Sequence, residues 1–460
     1  MKGRIRFLGA ARHVTGSKHL LEIAGKKILL DCGLVQGPRK EADRANRELP
    51  IAGGDVDHVL LSHAHIDHCG SLPTLVMNGF AGPIHCTEAT ADMLRLMLLD
   101  SAMIQAENAR SLARRGIETE PLYGEQDVAA ALRLVRPVPY RTRFEVEPGI
   151  RAEFLEAGHI LGAAIVVVDI GDGASGRRIV FTGDHGRKHL PILRDPNPIP
   201  ECDVLITEST YGDRLHENPG DIPDQLARIV EEEGEDGGRI VIPAFAVGRS
   251  QNLVLHFGRL MESGRIPRLP LFIDSPMSTE ATKIMARHRE LFDGETRAIL
   301  AAGESPFFFD GARYVSGVEE SKSLNSLRSG VIISASGMCE SGRVVHHLRQ
   351  SVGRKEDCVL IVGFQARNTL GRRLLDGEKR VRILGEEYRV RCRVRFLPGL
   401  SAHADYEELL SFERHLAARC RQVFVVHGEE ESAETYARRL EDSGFRDVTV
   451  PRQGDCAEIR

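Results

Sequence analysis

Short apolar runs separated by turn residues dominate the first thirty positions. RIRFLGA (4–10), HLLEIA (19–24) and KKILLDCG (26–33) read as strands, with Gly16 and Gly25-Lys26 supplying the turns, so residues 4–31 predict a β-meander. A strand from His58 to Leu61 follows, then a helical stretch from about Glu88 to Leu112. Arg151 to Ile170 predicts two strands around Gly158-His159-Ile160-Leu161-Gly162, and Arg178 to Gly183 another that delivers Asp184. From about residue 203 the pattern changes. DVLITES is a strand; GRIVIPAF leads into a helix from Gly248, PLFIDSP into one from Ser278, GVIISASG into one from Ser341, and CVLIVGF into a short one from Thr369. Apolar runs flanked by Gly and Pro, each followed by helical periodicity, indicate a parallel doubly wound layer. Beyond it come a strand RVRCRVRF (389–396), a helix from Asp405 to Leu416, a strand QVFVVHG and a helix from about Glu430.

At 460 residues the chain exceeds one ordinary core and predicts about two domains. No run approaches the roughly twenty apolar residues that span a bilayer, and the start MKGRIRFLGA passes straight into strand pattern without a signal-peptide core. The expectation is a soluble, cytoplasmic protein without a membrane partner. Nine cysteines with no CxxC pair read as free thiols of a reducing compartment. A net charge of −5 argues against wholesale adhesion to nucleic acid, so any polyanion must be gripped by a local patch.

The densest chemistry lies in Ser62-His63-Ala64-His65-Ile66-Asp67-His68, directly after Val59-Leu60-Leu61. His63 and His65 are two apart and point to one side of an extended chain, while Asp67 and His68 follow where the chain turns into a helix. Two ligand pairs aimed in different directions suit two metal ions better than one, and imidazole with carboxylate suits zinc-type metals. Asp31, His159, Asp184, Glu208 and His427 each follow an apolar strand, the position from which rigid scaffolds expose functional groups.

With Asp31, the HxHxDH cluster, the separated His159 and the strand-Gly-Asp184 setting, the sequence resembles the metallo-β-lactamase superfamily. Glu208-Ser209-Thr210-Tyr211-Gly212, Ser401-Ala402-His403-Ala404-Asp405-Tyr406 and Val426-His427-Gly428-Glu429 resemble the three motifs of its β-CASP group. Pro243 to Gln251 and Ser336-Gly337-Met338 resemble its RNA-processing branch, which includes the pre-mRNA 3′-end cleavage endonuclease and bacterial and archaeal relatives. The resemblance implies an α/β fold: an αββα metallo-β-lactamase sandwich from residues 1–210 and 397–460, with a doubly wound parallel α/β (β-CASP) domain, 211–396, inserted. It places the active site in the cleft between the two.

Carried over by position, the resemblance gives one zinc to His63, His65 and His159 and the other to Asp67, His68 and His427, with Asp184 bridging. Asp31 accepts a ring N–H from a ligand and fixes its orientation. A hydroxide held between the two Zn2+ is the expected nucleophile, and His403, oriented by Glu208, the proton donor to the departing ribose oxygen. The implied activity is hydrolysis of single-stranded RNA, endonucleolytic and leaving 5′-phosphate and 3′-hydroxyl ends. The alternatives are a 5′-to-3′ exoribonuclease, a DNA nuclease, a thioesterase or lactonase on the same site, and a non-catalytic RNA-binding scaffold. Manganese is the alternative metal, and the oligomeric state, homodimer included, stays open. No RNA-binding module is expected ahead of the first strand. Substrate grip falls to strand-Gly-helix turns of the inserted layer, where Arg249 and Ser250 follow Gly248, Ser336 and Gly337 precede Arg343, and Arg367 and Thr369 follow Gly363. With little aromatic content and no Trp, base stacking is not expected to dominate recognition.

Overall fold

The computed structural model describes residues 3–37, 39–114, 116–171, 176–234, 237–363, 365–366 and 368–460. Two compact units divide the chain: Met1–Lys188, Asp195–Leu215 and His403–Arg460 form one, and His189–Arg194 with His216–Ala402 the other.

The first unit begins with the meander β1 (Gly3–Gly9), β2 (Lys18–Ile23) and β3 (Lys26–Leu30), antiparallel as the alternation requires. β4 (His58–Leu60), β5 (Ile84–Cys86) and β6 (Val135–Pro137) extend the sheet in parallel. A second sheet starts with β7 (Phe144–Glu147), β8 (Ile150–Glu156), β9 (Ala164–Ile170), β10 (Arg177–Phe181) and β11 (Val204–Thr207). The inserted unit contributes β12 (Arg239–Pro243), β13 (Leu271–Ile273), β14 (Ala312–Tyr314), β15 (Gly330–Ser334), β16 (Cys358–Ile361), β17 (Arg380–Ile383), β18 (Glu386–Arg389) and β19 (Arg393–Phe396). The chain then returns with β20 (Gln422–Val425), β21 (Val448–Thr449) and β22 (Cys456–Ile459).

Those last strands close both sheets of the first unit, in the orders β22-β1-β2-β3-β4-β5-β6 and β21-β20-β11-β10-β9-β8-β7. Between the sheets lies one core: Ile5, Phe7 and Leu21 from one face pack with Phe154, Val166 and Phe181 from the other. Alternate residues of β8 point into it, so the period of two seen in the sequence is the period of burial. Each fully buried Phe contributes about 1.5–3 kcal/mol by leaving water. The first unit is thus a two-sheet α/β sandwich around one core, as expected.

Every pairing in the main sheet of the inserted unit, ordered β14-β13-β15-β12-β16-β19, is parallel. Its inner strands β12, β13, β15 and β16 are buried along their whole length and mostly apolar, as cover on both faces demands, while the edge strands β14 and β19 are not. One expectation needs correcting: residues 389–396 are not one strand. β18 pairs with β17 in a separate hairpin, whereas β19 joins β16. Between them Arg391 and Cys392 both donate their N–H to the carbonyl of Val352, at 2.7 and 3.1 Å, which takes the chain out of both ladders. Among the described residues no helix is long and apolar enough to cross a membrane.

Candidate metal centre

β3 and β4 run parallel, so Asp31 at the end of one lies beside Ser62 after the other. Asp31 is fully buried with a left-handed backbone (φ 58°). Its Oδ1 accepts the Ser62 N–H at 2.7 Å, and its Oδ2 accepts the Ser62 hydroxyl at 2.9 Å and the Nδ1–H of His68 at 2.6 Å. Since the Ser62 hydroxyl donates to Asp31, it accepts from His63 Nδ1, 3.0 Å away. One carboxylate therefore fixes two rings, His68 directly and His63 through Ser62, and leaves each Nε2 with a free lone pair.

The other members arrive on tightly held turns. His159 follows Gly158 (φ 67°), and a Cβ at Gly158 would stand 2.7 Å from Pro196. Beyond β10, Gly183 (φ 55°) is pressed against Ser62 and presents Asp184. His427, after β20, donates its N–H to the carbonyl of Ala10 at 2.7 Å, and Thr210 donates its hydroxyl to the His427 carbonyl at 3.1 Å.

Two clusters result. In one, His65 Nδ1 lies 3.1 Å from His63 Nε2 and 3.2 Å from His159 Nε2. Asp184 Oδ2 stands 3.4 and 3.5 Å from the latter two nitrogens. In the other, His68 Nε2 is 3.1 Å from both His427 Nε2 and Asp184 Oδ1, and Asp67 Oδ2 is 3.7 Å from His427 Nε2. Ligands about 2.0–2.1 Å from a tetrahedral zinc are separated by roughly 3.3–3.4 Å. The separations found here fit that edge. Asp184 Oδ1 is buried and accepts no hydrogen bond, so its lone pairs face the second cluster without a proton to satisfy them.

In the first cluster electrostatics agree with ligation, whereas in the second burial of His68 is outweighed by Asp184 and Asp31, which hold its ring above the ordinary range. Burial pushes His65 down to about 3 and lowers His63 and His159, so these rings are neutral and can offer lone pairs. Burial works against ionised Asp184, but His427, His68 and His403 outweigh it and hold the carboxyl well below its ordinary range.

His403 lies beside the clusters without belonging to either. Its backbone bridges Gly186, and Ala404 N–H donates to His185 carbonyl at 2.8 Å. The buried Glu208 carboxylate accepts the His185 N–H at 2.5 Å and lies 3.1 and 3.2 Å from His403 Nδ1. Nε2 is thereby left facing Asp184 Oδ2 at 3.9 Å. Burial opposes a charged ring, yet Glu208 and Asp184 raise His403 to about 9. It is a cationic imidazole with its remaining N–H turned toward the clusters.

Within the inserted unit the residues expected to grip substrate are engaged in the fold to different degrees. Ser250 is buried and donates its hydroxyl to the carbonyl of Phe245 at 2.8 Å; Arg249 donates to the Val362 carbonyl. Gly337 lies against Phe245, where a Cβ would come within 3.2 Å, and its neighbour Ser336 is half-buried. Thr369 caps the helix Leu370–Leu375, and Gly371 N–H reaches the Met338 carbonyl at 3.4 Å, so these segments adjoin. Arg343 instead reaches Asp274 Oδ1 at 2.6 Å and the Ser316 carbonyl at 2.7 Å. Arg367 lies outside the described residues. Sequence reasoning missed Ser62, Thr210 and the half-exposed Phe245, and also Asp274, which gathers Ser321, His347 and Arg343 around one buried carboxylate. Asp274 follows the apolar strand LFI, the same placement that singled out the other strand-end residues.

Comparison with known proteins adds independent findings. Residues 16–243 match the profile of the metallo-beta-lactamase superfamily, 250–374 that of the Beta-Casp domain, and 387–451 that of the Zn-dependent metallo-hydrolase RNA specificity domain. Ribonuclease TTHA0252 of Thermus thermophilus is 35% identical over 99% of this chain and 100% of its own length. Transcription termination factor FttA of Cenarchaeum symbiosum is 33% identical, over 94% of this chain and 67% of the relative. A crystal structure of a protein of unknown function from Enterococcus faecalis superposes with a TM-score of 0.57 at 14% identity, covering 100% of both chains, and shares the fold.

Proposed function

Because the chain belongs to the β-CASP group of the metallo-β-lactamase superfamily, we propose that it is a ribonuclease that hydrolyses RNA phosphodiester bonds with two zinc ions. The observation that carries this reading is Asp184, whose two carboxylate oxygens face different ligand sets. His63, His65 and His159 would hold one ion, Asp67, His68 and His427 the other, with Asp184 shared. Bound there, the cations supply an acidified water and neutralise charge that builds on the phosphoryl oxygens.

The chain's own residues do the rest. Hydrolysis joins a water oxygen to phosphorus and breaks the bond to the ribose 3′ oxygen, which leaves as an alcohol and needs a proton. His403 gives it from Nε2, and Glu208 holds the ring by Nδ1 so that the donor is aimed and the charge stabilised. The products are 5′-phosphate and 3′-hydroxyl ends, and the RNA-processing resemblance supports internal cuts. Arg249, Ser250, Ser336, Gly337, Arg343 and Thr369, with Arg367, are assigned to the RNA backbone. Nine free thiols, eight of them buried, fit a cytoplasmic location.

Incubation of the protein with internally labelled single-stranded RNA, with and without chelator, and mapping of both new ends tests the reading. Chelator-sensitive internal cuts with the stated ends are expected. Equal cleavage of a matched DNA would reassign the substrate, and the absence of any cut in metal-replete protein would overturn the assignment.

A further inference from the structure

β11 and β20 are parallel neighbours, and the inserted unit leaves the chain after the one and rejoins it before the other. Two positions ahead of each strand stands a buried cysteine, Cys202 before β11 and Cys420 before β20. Val204 is the registered partner of Gln422, so the two cysteines stand at the same level of adjacent strands. The carbonyl of Asp203 fixes that level: it accepts the N–H groups of Arg421 at 2.8 Å and Gln422 at 3.2 Å, and Cys420 Sγ lies 3.8 Å from it. Neighbouring strands run about 4.8 Å apart and a disulfide joins Cα atoms about 4.4–6.8 Å apart, so the backbone spacing suits a bridge. The two thiols share a hydrogen bond, which together with burial pushes Cys202 up, and Cys420 gives its own hydrogen to the Gln422 carbonyl at 3.2 Å. Undisturbed, the pair therefore rests as two thiols. Cys202 also lines a cleft of ≈ 490 Å³, through which a molecule of peroxide size reaches the sulfur. Cys358 and Cys392 flank another parallel pair, β16 and β19, but out of step: Cys358 is registered with Arg393, and successive side chains point to opposite faces.

We propose that Cys202 and Cys420 form a reversible oxidation site, which a hydroperoxide closes to a disulfide and a thiol reductant reopens. One sulfur, as thiolate, attacks a peroxide oxygen; the O–O bond breaks, and the departing hydroxide takes up the released proton to leave as water. The second sulfur then attacks the sulfenic acid so formed, the S–S bond replaces the S–O bond, and a second water leaves. Two thiols are oxidised to one disulfide while one hydroperoxide is reduced by two electrons. The reductant reverses this by thiol–disulfide exchange. Neither the metal ions nor RNA enter the chemistry. Its consequence lies in topology, because the bridge closes a loop that contains the whole inserted unit, His216–Ala402. The longer the closed loop, the more freedom its link removes from the unfolded chain. β11 leads to Glu208 and β20 to His427, and the bridge ties these strands at the ends remote from both residues. It acts as a clamp that holds the two halves of the discontinuous first unit together when oxidant rises.

Oxidation of the unaltered protein with a small excess of hydrogen peroxide, followed by alkylation, digestion and mass spectrometry, reads the site directly. The expected product is a pair of peptides joined through Cys202 and Cys420, two hydrogens lighter than the free pair, which dithiothreitol separates. The closed loop should also raise the midpoint of thermal unfolding by roughly 5–10 °C, and Cys202→Ser and Cys420→Ser should each abolish both the link and the rise. Absence of the link, or recovery of either cysteine as sulfinic acid or joined to a different cysteine, overturns the site. A link that leaves the midpoint unchanged or lowers it overturns the clamp. The peptide map needs only the unaltered protein, so it decides the site even where a serine variant fails to fold.

Discussion

Asp184 and His403 face each other at 3.9 Å, and the proposed function gives them separable tasks. Asp184→Ala removes an oxygen from both clusters, so turnover should vanish and metal content, measured by elemental analysis, should fall from about two ions per chain. A variant that cleaves normally with full metal content would remove Asp184 from the bridging role. His403→Ala should slow cleavage by roughly a hundredfold with metal retained, as for a lost general acid. Loss of metal in that variant would make His403 a ligand. Glu208→Gln takes away the main charge that raises His403, so the alkaline limb of the pH–rate profile should move to lower pH. At this scale the sequence was legible wherever residue type alone carries the chemistry, as in HxHxDH. Ser62 and Thr210 were not legible, because a hydroxyl matters here only through what it touches.

Elements carry their own constraints, and two of them can be measured. Gly33, after β3, has no room for a Cβ, which would lie 1.5 Å from the Asp67 carbonyl oxygen. Gly33→Ala must push the 66–69 helix away from Asp31, so both stability and metal affinity should drop in thermal unfolding and metal titration. On the helix Tyr406–Glu413, Glu413 is fully buried, and burial pushes its carboxyl up to about 7, offset in part by the hydroxyls of Thr207 and Tyr436. Its folded pKa lies above the unfolded value of about 4.3, so its contribution to stability is complete below pH 4 and is lost as pH rises through 7. Glu413→Gln should flatten this dependence, with the Tm difference from the unaltered protein shifting in the variant's favour between pH 5 and 8. Most strands and helices were legible from their periodicity. RVRCRVRF was not, since an alternating Arg-Val pattern suits either ladder and only the Val352 carbonyl decides where the chain leaves one for the other.

For the whole molecule, every residue of the two ligand clusters belongs to the first unit, with none from the second. Ions bound only by the folded state stabilise it by mass action, by about 4 kcal/mol at a thousandfold excess over Kd. Chelation should therefore lower the calorimetric transition of the first unit and leave that of the second in place; a shift of both together would show that they unfold as one. The discontinuous sandwich was legible because its ligand motifs flank the parallel layer in sequence. The detour of His189–Arg194 into the other unit was not, for it depends on Asp293 N–H reaching the Ile192 carbonyl at 2.9 Å.

β20 joins the second sheet between β11 and β21, and His427 just after it is the last member of either cluster to be synthesised. A nascent chain therefore carries all four members of the first cluster, His63, His65, His159 and Asp184, well before it carries the last member of the second.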